Sequence, residues 1–325
     1  MSKSYIAAKR CTLILSLICY VIILVYPFAL AQDVTDQQNI GRVQPFLLKA
    51  VVKIVSPSDS QTGTGFLVSR EVLEPSGKER LVFLVTNKHV VGDWDISDGS
   101  IINFHKYLDV YFYRTTDPSG TTYKPLTILL LDNAGKLISR KLILHSNPKI
   151  DVAVIALDQE LLPQNKIDLV CFDVSFLLPF NRIATEETTG VALGDQVFDL
   201  GYPFGITSLS NSYPIAKGGY IASLPGQEFR IDVPAVNRQG QQVKATIQGK
   251  ILLVDGLIVP GNSGGPVVIP AETRVRIDPK TKQFQHSSQP TQNLVLGIVS
   301  AGLGSSGLTV VLGSDYILEL INTYQ

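Results

Sequence analysis

A serine sits inside a run of glycines at Gly261-Asn262-Ser263-Gly264-Gly265-Pro266, with Pro260 before it and the apolar run Val267-Val268-Ile269 after it. Glycines on both sides of one hydroxyl admit backbone conformations closed to other residues and let the chain approach a ligand closely. A nucleophilic serine needs both. Its oxygen must be exposed, and neighbouring backbone N–H groups must point at the developing oxyanion. The competing readings are an ordinary Gly-rich hairpin and a phosphate-cradling loop. The phosphate version lacks the Lys and Ser/Thr of a P-loop, and no clear helix follows it. A nucleophile also requires a base, and the base requires a group that orients it.

Four histidines are available: His89, His105, His145 and His286. His89 ends the apolar strand Val82-Phe83-Leu84-Val85, within Thr86-Asn87-Lys88-His89-Val90-Val91-Gly92, where an imidazole can stand at a cleft edge. His105 precedes an aromatic strand, His145 leaves a strand for a loop and His286 lies in a polar loop. Those three settings suit structural or solvated roles. The candidate acid is Asp151, a lone carboxylate at the start of the apolar run Val152-Ala153-Val154-Ile155-Ala156-Leu157. A buried carboxylate is costly unless paired or hydrogen-bonded, and an imidazole N–H is a suitable partner. The alternative is a turn-capping Asp after Asn147-Pro148. Asp93 and Asp95 lie close to His89 in sequence and read as solvated turn residues. No HExxH or Cys/His cluster is present, so neither a metal nor a cofactor is expected.

His89, Asp151 and Ser263 are far apart in the chain, so the fold must gather them. From Val43 onward the sequence reads as short strands. Residues 50–55 are β-branched, and Gly63-Thr64-Gly65 then suits a bulge or a close backbone approach. Residues 81–86, 107–114, 126–131, 136–144 and 150–157 continue the pattern, with Asp132-Asn133-Ala134-Gly135 as a hairpin turn. Residues 161–189, with Pro163 and Pro179, read as a connector. The second half repeats the style at 196–200, 219–223, 229–233, 242–247, 251–254, 267–269, 294–299 and 309–312. Arg274-Val275-Arg276-Ile277 and Lys282-Gln283-Phe284 flank Asp278-Pro279-Lys280-Thr281 as a projecting hairpin. This spacing of strands and turns indicates an all-β barrel or sandwich. Only Ser314-Asp315 followed by Tyr316-Ile317-Leu318-Glu319-Leu320-Ile321 reads as a capped helix.

The 325 residues suffice for one large or two ordinary domains. With 45% hydrophobic and 17% charged residues, the chain is not a disordered one. Its 28 basic residues balance 28 acidic ones, without the basic excess that nucleic-acid binding requires. Lys3, Lys9 and Arg10, an apolar run over 11–26, Pro27 and Ala29-Leu30-Ala31 before Gln32 form a secretory signal over 1–31. An uncleaved membrane anchor is the competing reading; cleavage leaves no membrane span. Cys11 and Cys19 would leave with the signal. Only Cys171, in an apolar run, would remain, so no intramolecular disulfide could form. That suits a bacterial periplasm or bacterial secretion. Residues 32–42 read as a flexible leader.

The three motifs, in the order His89, Asp151, Ser263, resemble those of trypsin-like serine peptidases of the chymotrypsin fold, most closely the disulfide-free bacterial HtrA/Deg-like branch. Thr86-Asn87-Lys88-His89-Val90-Val91 matches the family's histidine motif, Asp151-Val152-Ala153-Val154 its acid motif and 261–266 its serine motif. Gly194-Asp195, Gly201-Tyr202-Pro203-Phe204-Gly205 and Gly219-Tyr220-Ile221-Ala222-Ser223 resemble further segments of that branch. The resemblance implies two six-stranded antiparallel β-barrels, over 43–175 and 176–325, with a short C-terminal helix. It implies a catalytic triad of His89, Asp151 and Ser263, and an oxyanion hole at Gly261, Asn262 and Ser263. It puts Leu257 at the base of the specificity pocket and makes Val299, Ser300 and Ala301 the strand along which substrate pairs. An apolar Leu257 favours cleavage after small or medium aliphatic residues. The expected activity is that of an exported serine endopeptidase acting on protein or peptide. The rival is a catalytically silent barrel that binds peptides. The chain ends too soon for the PDZ domain usual in the HtrA branch, and it lacks an Ile-Val-Gly-Gly activation site. The sequence sets no oligomeric state.

Overall fold

Among the described residues, the strands over 153–156, 266–269, 294–302 and 308–313 are buried on both faces almost throughout, and that explains their unbroken apolar runs. The computed structural model describes residues 43–324 except 57–60, 75–76, 114–124, 139–140, 159–166, 168, 186–190, 208–212, 237–240, 272–274, 278–280, 282 and 287–292. The signal and leader over 1–42, and parts of the 161–189 connector, lie outside the described residues.

The first sheet and its satellite ribbon comprise β1 (Val51–Val55), β2 (Thr62–Glu74), β3 (Gly77–Thr86), β4 (Gly92–Asp95), β5 (Ser100–Phe104), β6 (Tyr107–Tyr111), β7 (Leu126–Leu129), β8 (Leu142–Leu144), β9 (Ala153–Ala156) and β10 (Phe172–Asp173). The sheet order is β7-β6-β1-β2-β3-β9-β8; β10 runs parallel to β2, and β4 and β5 pair separately. Between β7 and β8 the turn at Asp132 forms as its sequence predicts. Its carboxylate accepts the N–H groups of Ala134 and Lys136, at 2.8 and 2.9 Å, and Gly135 takes φ 77°.

The second half comprises β11 (Gln196–Gly201), β12 (Ile215–Ile221), β13 (Glu228–Val236), β14 (Gln242–Asp255), β15 (Pro266–Ile269), β16 (Val275–Ile277), β17 (Phe284–His286), β18 (Leu294–Gly302) and β19 (Leu308–Gly313). The order is β12-β11-β15-β18-β19-β14-β13, and β12 also pairs with β14. Six strands thus close a ring, and β13 pairs with the far half of β14. The fold is all-β, built on two large and mainly antiparallel sheets, as expected. The strand count differs, because the first sheet carries eight strands instead of six. The two-residue β10 is too short to show a period in sequence. The 275–286 hairpin is present as β16 and β17, with Val275 opposite His286.

Successive side chains on a strand point to opposite faces. Phe66 and Val68 of β2, with Phe83 and Val85 of β3, pack in one core with Leu200, Val268, Ile298 and Val310 of the second sheet. Their neighbours Leu67, Val82 and Leu84 pack inside the first sheet with Ile54, Leu108 and Ile155. The second sheet encloses its own cluster, including Val197, Leu252, Val267, Leu296 and Val311. Cys171 belongs to the first sheet's interior as a buried free thiol, and burial pushes it up to about 11.

Three short helical segments interrupt stretches that read as strand or connector: Pro45–Leu48, Lys88–Val91 and Phe180–Thr185. The C-terminal helix spans Ser314–Thr323 and buries Tyr316, Ile317, Leu320 and Ile321 in the core shared by the two sheets. Ser314 and Asp315 are not its cap; Gly313 is, with no side-chain cap bond. The Asp315 carboxylate instead accepts the Phe180 N–H at 2.7 Å and Lys250 Nζ at 2.8 Å. At the other end, the Arg70 guanidinium of β2 donates to the carbonyls of Ile321 and Tyr324, at 2.8 and 2.7 Å. These contacts tie the helix to both halves. Among the described residues, no helix is long and apolar enough to cross a membrane.

Candidate active site

His89 stands on the single helical turn Lys88–Val91, which begins where β3 ends. Several bonds lock this turn against the segment before β9. The Asn87 side chain donates to the Asp151 carbonyl at 2.6 Å. The His89 backbone N–H donates to Asp151 Oδ1 at 3.2 Å, and His89 Nδ1 lies 2.6 Å from Asp151 Oδ2. Between them, buried Lys88 caps the carbonyls of His145, Asn147 and Pro148 at 3.0, 3.0 and 3.2 Å. A lysine is thereby used to hold the loop that delivers Asp151. Burial pushes Lys88 down to about 8, against the opposing pull of the Asp151 charge.

Asp151 is 2% exposed, and its carboxylate is met by donors rather than left bare. Besides the two bonds from His89, Ser300 Oγ donates to Oδ2 at 3.1 Å. An ionised carboxylate can only accept, so the proton of the 2.6 Å contact lies on Nδ1. Nε2 of the neutral ring is then left as an acceptor. Burial draws the imidazole down, but the charge and hydrogen bond of Asp151 outweigh it, and His89 sits above its ordinary value.

The serine turn is held from the first sheet. Thr64 Oγ1 donates to the Gly261 carbonyl at 2.6 Å, and the Thr64 N–H donates to the Ser263 carbonyl at 2.8 Å. Gly261 and Gly264 take φ 98° and 88°. A side chain at Gly264 would also run into the Thr64 carbonyl. Gly264 N–H donates to the Val299 carbonyl at 3.0 Å, and Val299 N–H returns to Gly265 at 2.9 Å. The loop Gly201-Tyr202-Pro203-Phe204-Gly205 closes over the turn, with the Phe204 N–H donating to Pro260 at 2.7 Å.

His89, Gly261, Ser263, Ser300 and Ala301 line one cleft of about 520 Å³, together with Ile258, Val259, Pro260 and Gly302. His105 also lines it. No hydrogen bond joins His89 to Ser263. Among the described residues, neither the Gly261 nor the Ser263 N–H has an acceptor.

Three expected residues fall elsewhere. Asn262 is 0% exposed; its backbone N–H is spent on Val259 at 3.2 Å and its side-chain amide donates to Asp199 Oδ2, so it does not line the cleft. Val299 is buried, and its backbone N–H and carbonyl are both bonded within the serine turn, so it cannot pair with substrate. Leu257 is 62% exposed and borders a separate hollow with Asp199 and Lys217, because its carbonyl is drawn to the Lys217 amine. The Ser300 hydroxyl is spent on Asp151. Sequence reasoning passed over Thr64, Lys88, Asn87 and Asp199. Thr64 had one signal, the glycines on either side of it. A Cβ at Gly63 would come within 2.8 Å of Val90, which marks the close packing there.

A family model of the trypsin-like peptidase domain matches residues 63–275. Among solved structures, the chain is similar to the Rv3671c protease of M. tuberculosis, crystallised in an inactive and an active form. Each is 18% identical with a TM-score of 0.43 over 86% of this chain; 92% of the inactive chain and 83% of the active one are covered. It is also similar to AL20, a thermostable serine protease from an extremophilic microorganism, at 10% identity and TM-score 0.44 over 86% of this chain and 98% of that one. Among curated proteins none matches the chain.

Removing the Asp151 charge leaves burial to act on the imidazole alone. Asp151→Asn is therefore expected to bring the His89 midpoint below 6.5, read by imidazole NMR in a Ser263→Ala background. A raised folded value stabilises fully below the unfolded pKa and is lost as pH rises through the folded one. Asp151→Asn should erase that acid-side stabilisation from the pH dependence of urea unfolding. An unmoved His89 midpoint would contradict the pairing.

Proposed function

The chain belongs to the trypsin-like peptidase family, and on that premise we propose that it is an exported serine endopeptidase whose reacting groups are Ser263, His89 and Asp151. Protein or peptide is the substrate that this family membership implies. The observation that carries the assignment is the 2.6 Å bond between His89 Nδ1 and Asp151 Oδ2, beside a cleft that Ser263 also lines.

In this reading Ser263 Oγ attacks the scissile carbonyl while His89 Nε2 takes its proton. The tetrahedral oxyanion is received by the N–H groups of Gly261 and Ser263, which are free of other acceptors and belong to residues lining the cleft. Such a donor contributes about 3–4 kcal/mol to the transition state in comparable enzymes. The imidazolium then protonates the leaving amine, which breaks the C–N bond and leaves an acyl ester on Ser263. Water, deprotonated by His89, hydrolyses the ester. Asp151 keeps the ring in the Nδ1–H tautomer and stabilises its charged form.

Cleavage after small or medium aliphatic residues remains the proposed preference, now supported by Ile258 rather than Leu257. A Cβ at Gly302 would come within 2.5 Å of Ile258 Cγ2, so the Ile258 side chain lies on the strand at the cleft. Among the described residues lining the cleft there is no carboxylate to attract Arg or Lys. The HtrA/Deg-like branch is the proposed relationship, supported by Gly201-Tyr202-Pro203-Phe204-Gly205 packing on the serine turn. Export to a bacterial periplasm or exterior rests on the 1–31 signal.

The unbonded Ser263 hydroxyl favours a second reading, a silent or latent barrel that binds peptide. A fluorophosphonate probe separates the two. Covalent labelling of Ser263, lost in a folded Ser263→Ala protein together with all hydrolysis, is the expected result. A folded chain that never labels is the silent barrel. A peptide library is expected to yield cleavage after Ala, Val and similar residues, and dominant cleavage after Arg or Lys would defeat the Ile258 argument. The mass of the mature exported protein should correspond to a chain starting at Gln32; a start at Met1 would mean the segment is retained.

A further inference from the structure

Behind the serine turn lies a polar pair that the proposed mechanism does not use. Asp199 projects from β11, and its Oδ2 accepts the side-chain N–H of Asn262, the residue between the two free N–H groups of the turn. Asp199 has a second oxygen, Oδ1, and Asn262 has its single amide oxygen, also Oδ1. Asp199 Oδ1 and Asn262 Oδ1 are both sealed from solvent, and neither has a hydrogen-bond partner. Two orphaned acceptors in one buried pair are expensive, since each forfeits its hydration without compensation. A proton on the Asp199 carboxyl would supply the donor that both oxygens lack. A protonated carboxyl donates one O–H while its other oxygen still accepts. The acid and the amide can then exchange two hydrogen bonds, N–H to Oδ2 and O–H to the amide oxygen.

We propose that Asp199 is a positioning residue that holds the serine turn through Asn262 as a protonated carboxyl, so that loss of its proton loosens the oxyanion site. This rests on the reading of Gly261–Ser263 as that site. The surroundings agree. Burial pushes Asp199 up to about 7, even though the Asn262 hydrogen bond and the Lys217 charge pull it down. Lys217 of β12, opposite Asp199 in the strand register, is the charged group facing it. The other described residues around this hollow carry no titratable group, among them Val267 from β15, Val254 from the end of β14, Gly256 and Leu257 beyond it and Thr309 from β19. The Oδ1 atom lies close against Gly265, where an added Cβ would come within 3.3 Å of it, so the carboxyl is wedged beneath the turn. Deprotonation would leave a buried negative charge and two oxygens without a donor under the turn. The turn would then give way.

Two measurements on the full chain test this. The first is the titration of the Asp199 carboxyl by ¹³C NMR in the Ser263→Ala protein, assigned by its absence in Asp199→Asn. A midpoint near neutrality is expected, and a midpoint at the ordinary carboxylate value would overturn the proposal. The second is the rate of fluorophosphonate labelling of Ser263 across pH in the wild type and in Asp199→Asn. An asparagine there can exchange two hydrogen bonds with Asn262 at every pH. The wild-type rate, divided by the Asp199→Asn rate to cancel the titration of His89, is expected to fall about tenfold from about pH 6 to about pH 8.5. A flat ratio would overturn the positioning role. If neither protein labels at any pH, the reading of Ser263 as nucleophile fails, and the carboxyl titration alone decides the acid–amide pair.

Discussion

The site depends on one residue's hydrogen bonds across the two sheets. Thr64 of β2 gives its N–H to the Ser263 carbonyl and its hydroxyl to the Gly261 carbonyl, while that hydroxyl accepts the Tyr202 N–H at 3.1 Å. Its own carbonyl accepts Thr86 Oγ1 at 2.8 Å, three residues ahead of His89. A single buried residue therefore fixes the serine turn, the loop over it and the strand that leads to the histidine. Each such bond adds only about 1 kcal/mol net, but leaving the buried groups unmet would cost more. That asymmetry is what makes the arrangement specific rather than merely stable.

Around this stitch the apolar core sets the distance between the sheets. Phe66 lies two residues beyond Thr64 on the same strand face and packs edge-on against Phe172, at 5.9 Å between ring centroids. Leu200 and Tyr202 flank Gly201 in the second sheet and enter the same core. The hydroxyl of Tyr202 reaches back to the Val51 carbonyl at 3.1 Å. The polar contacts at the cleft are thus anchored by a close-packed layer immediately beneath them. A shift of either sheet would be felt in both.

The charged groups beside the cleft follow one rule: burial is offset by several partners. Asp151 collects donors from His89 and Ser300, and Lys88 spends its ammonium on three carbonyls. His145, whose sequence setting suits a structural or solvated role, makes structural contacts. Its Nδ1 accepts the Asn147 N–H at 3.1 Å, its Nε2 meets Glu319 at 3.0 Å, and its ring packs edge-on to Tyr316. It joins the loop before Asp151 to the C-terminal helix. Asp199 and Asn262 stand apart from this rule, with two oxygens left unmet.

The sequence by itself determined the all-β fold class and the trypsin-like peptidase family. Strand periods, turn residues and three short motifs act locally, so Asp132-Asn133-Ala134-Gly135 and the glycines of 261–265 could be read without knowing their neighbours. It could not determine which backbone donors of the serine turn remain free. Asn262 lost its place because Val259 takes its N–H, and Leu257 because Lys217 holds its carbonyl. Val299 looked like a substrate strand until Gly264 and Gly265 took its backbone groups. Nor could it give Thr64, Lys88 or Asp199 their roles, because each acts on residues more than fifty positions away. The tertiary structure decided those matters. A backbone hydrogen-bonding group has few partners to spare, and which partner it meets depends on packing between distant segments.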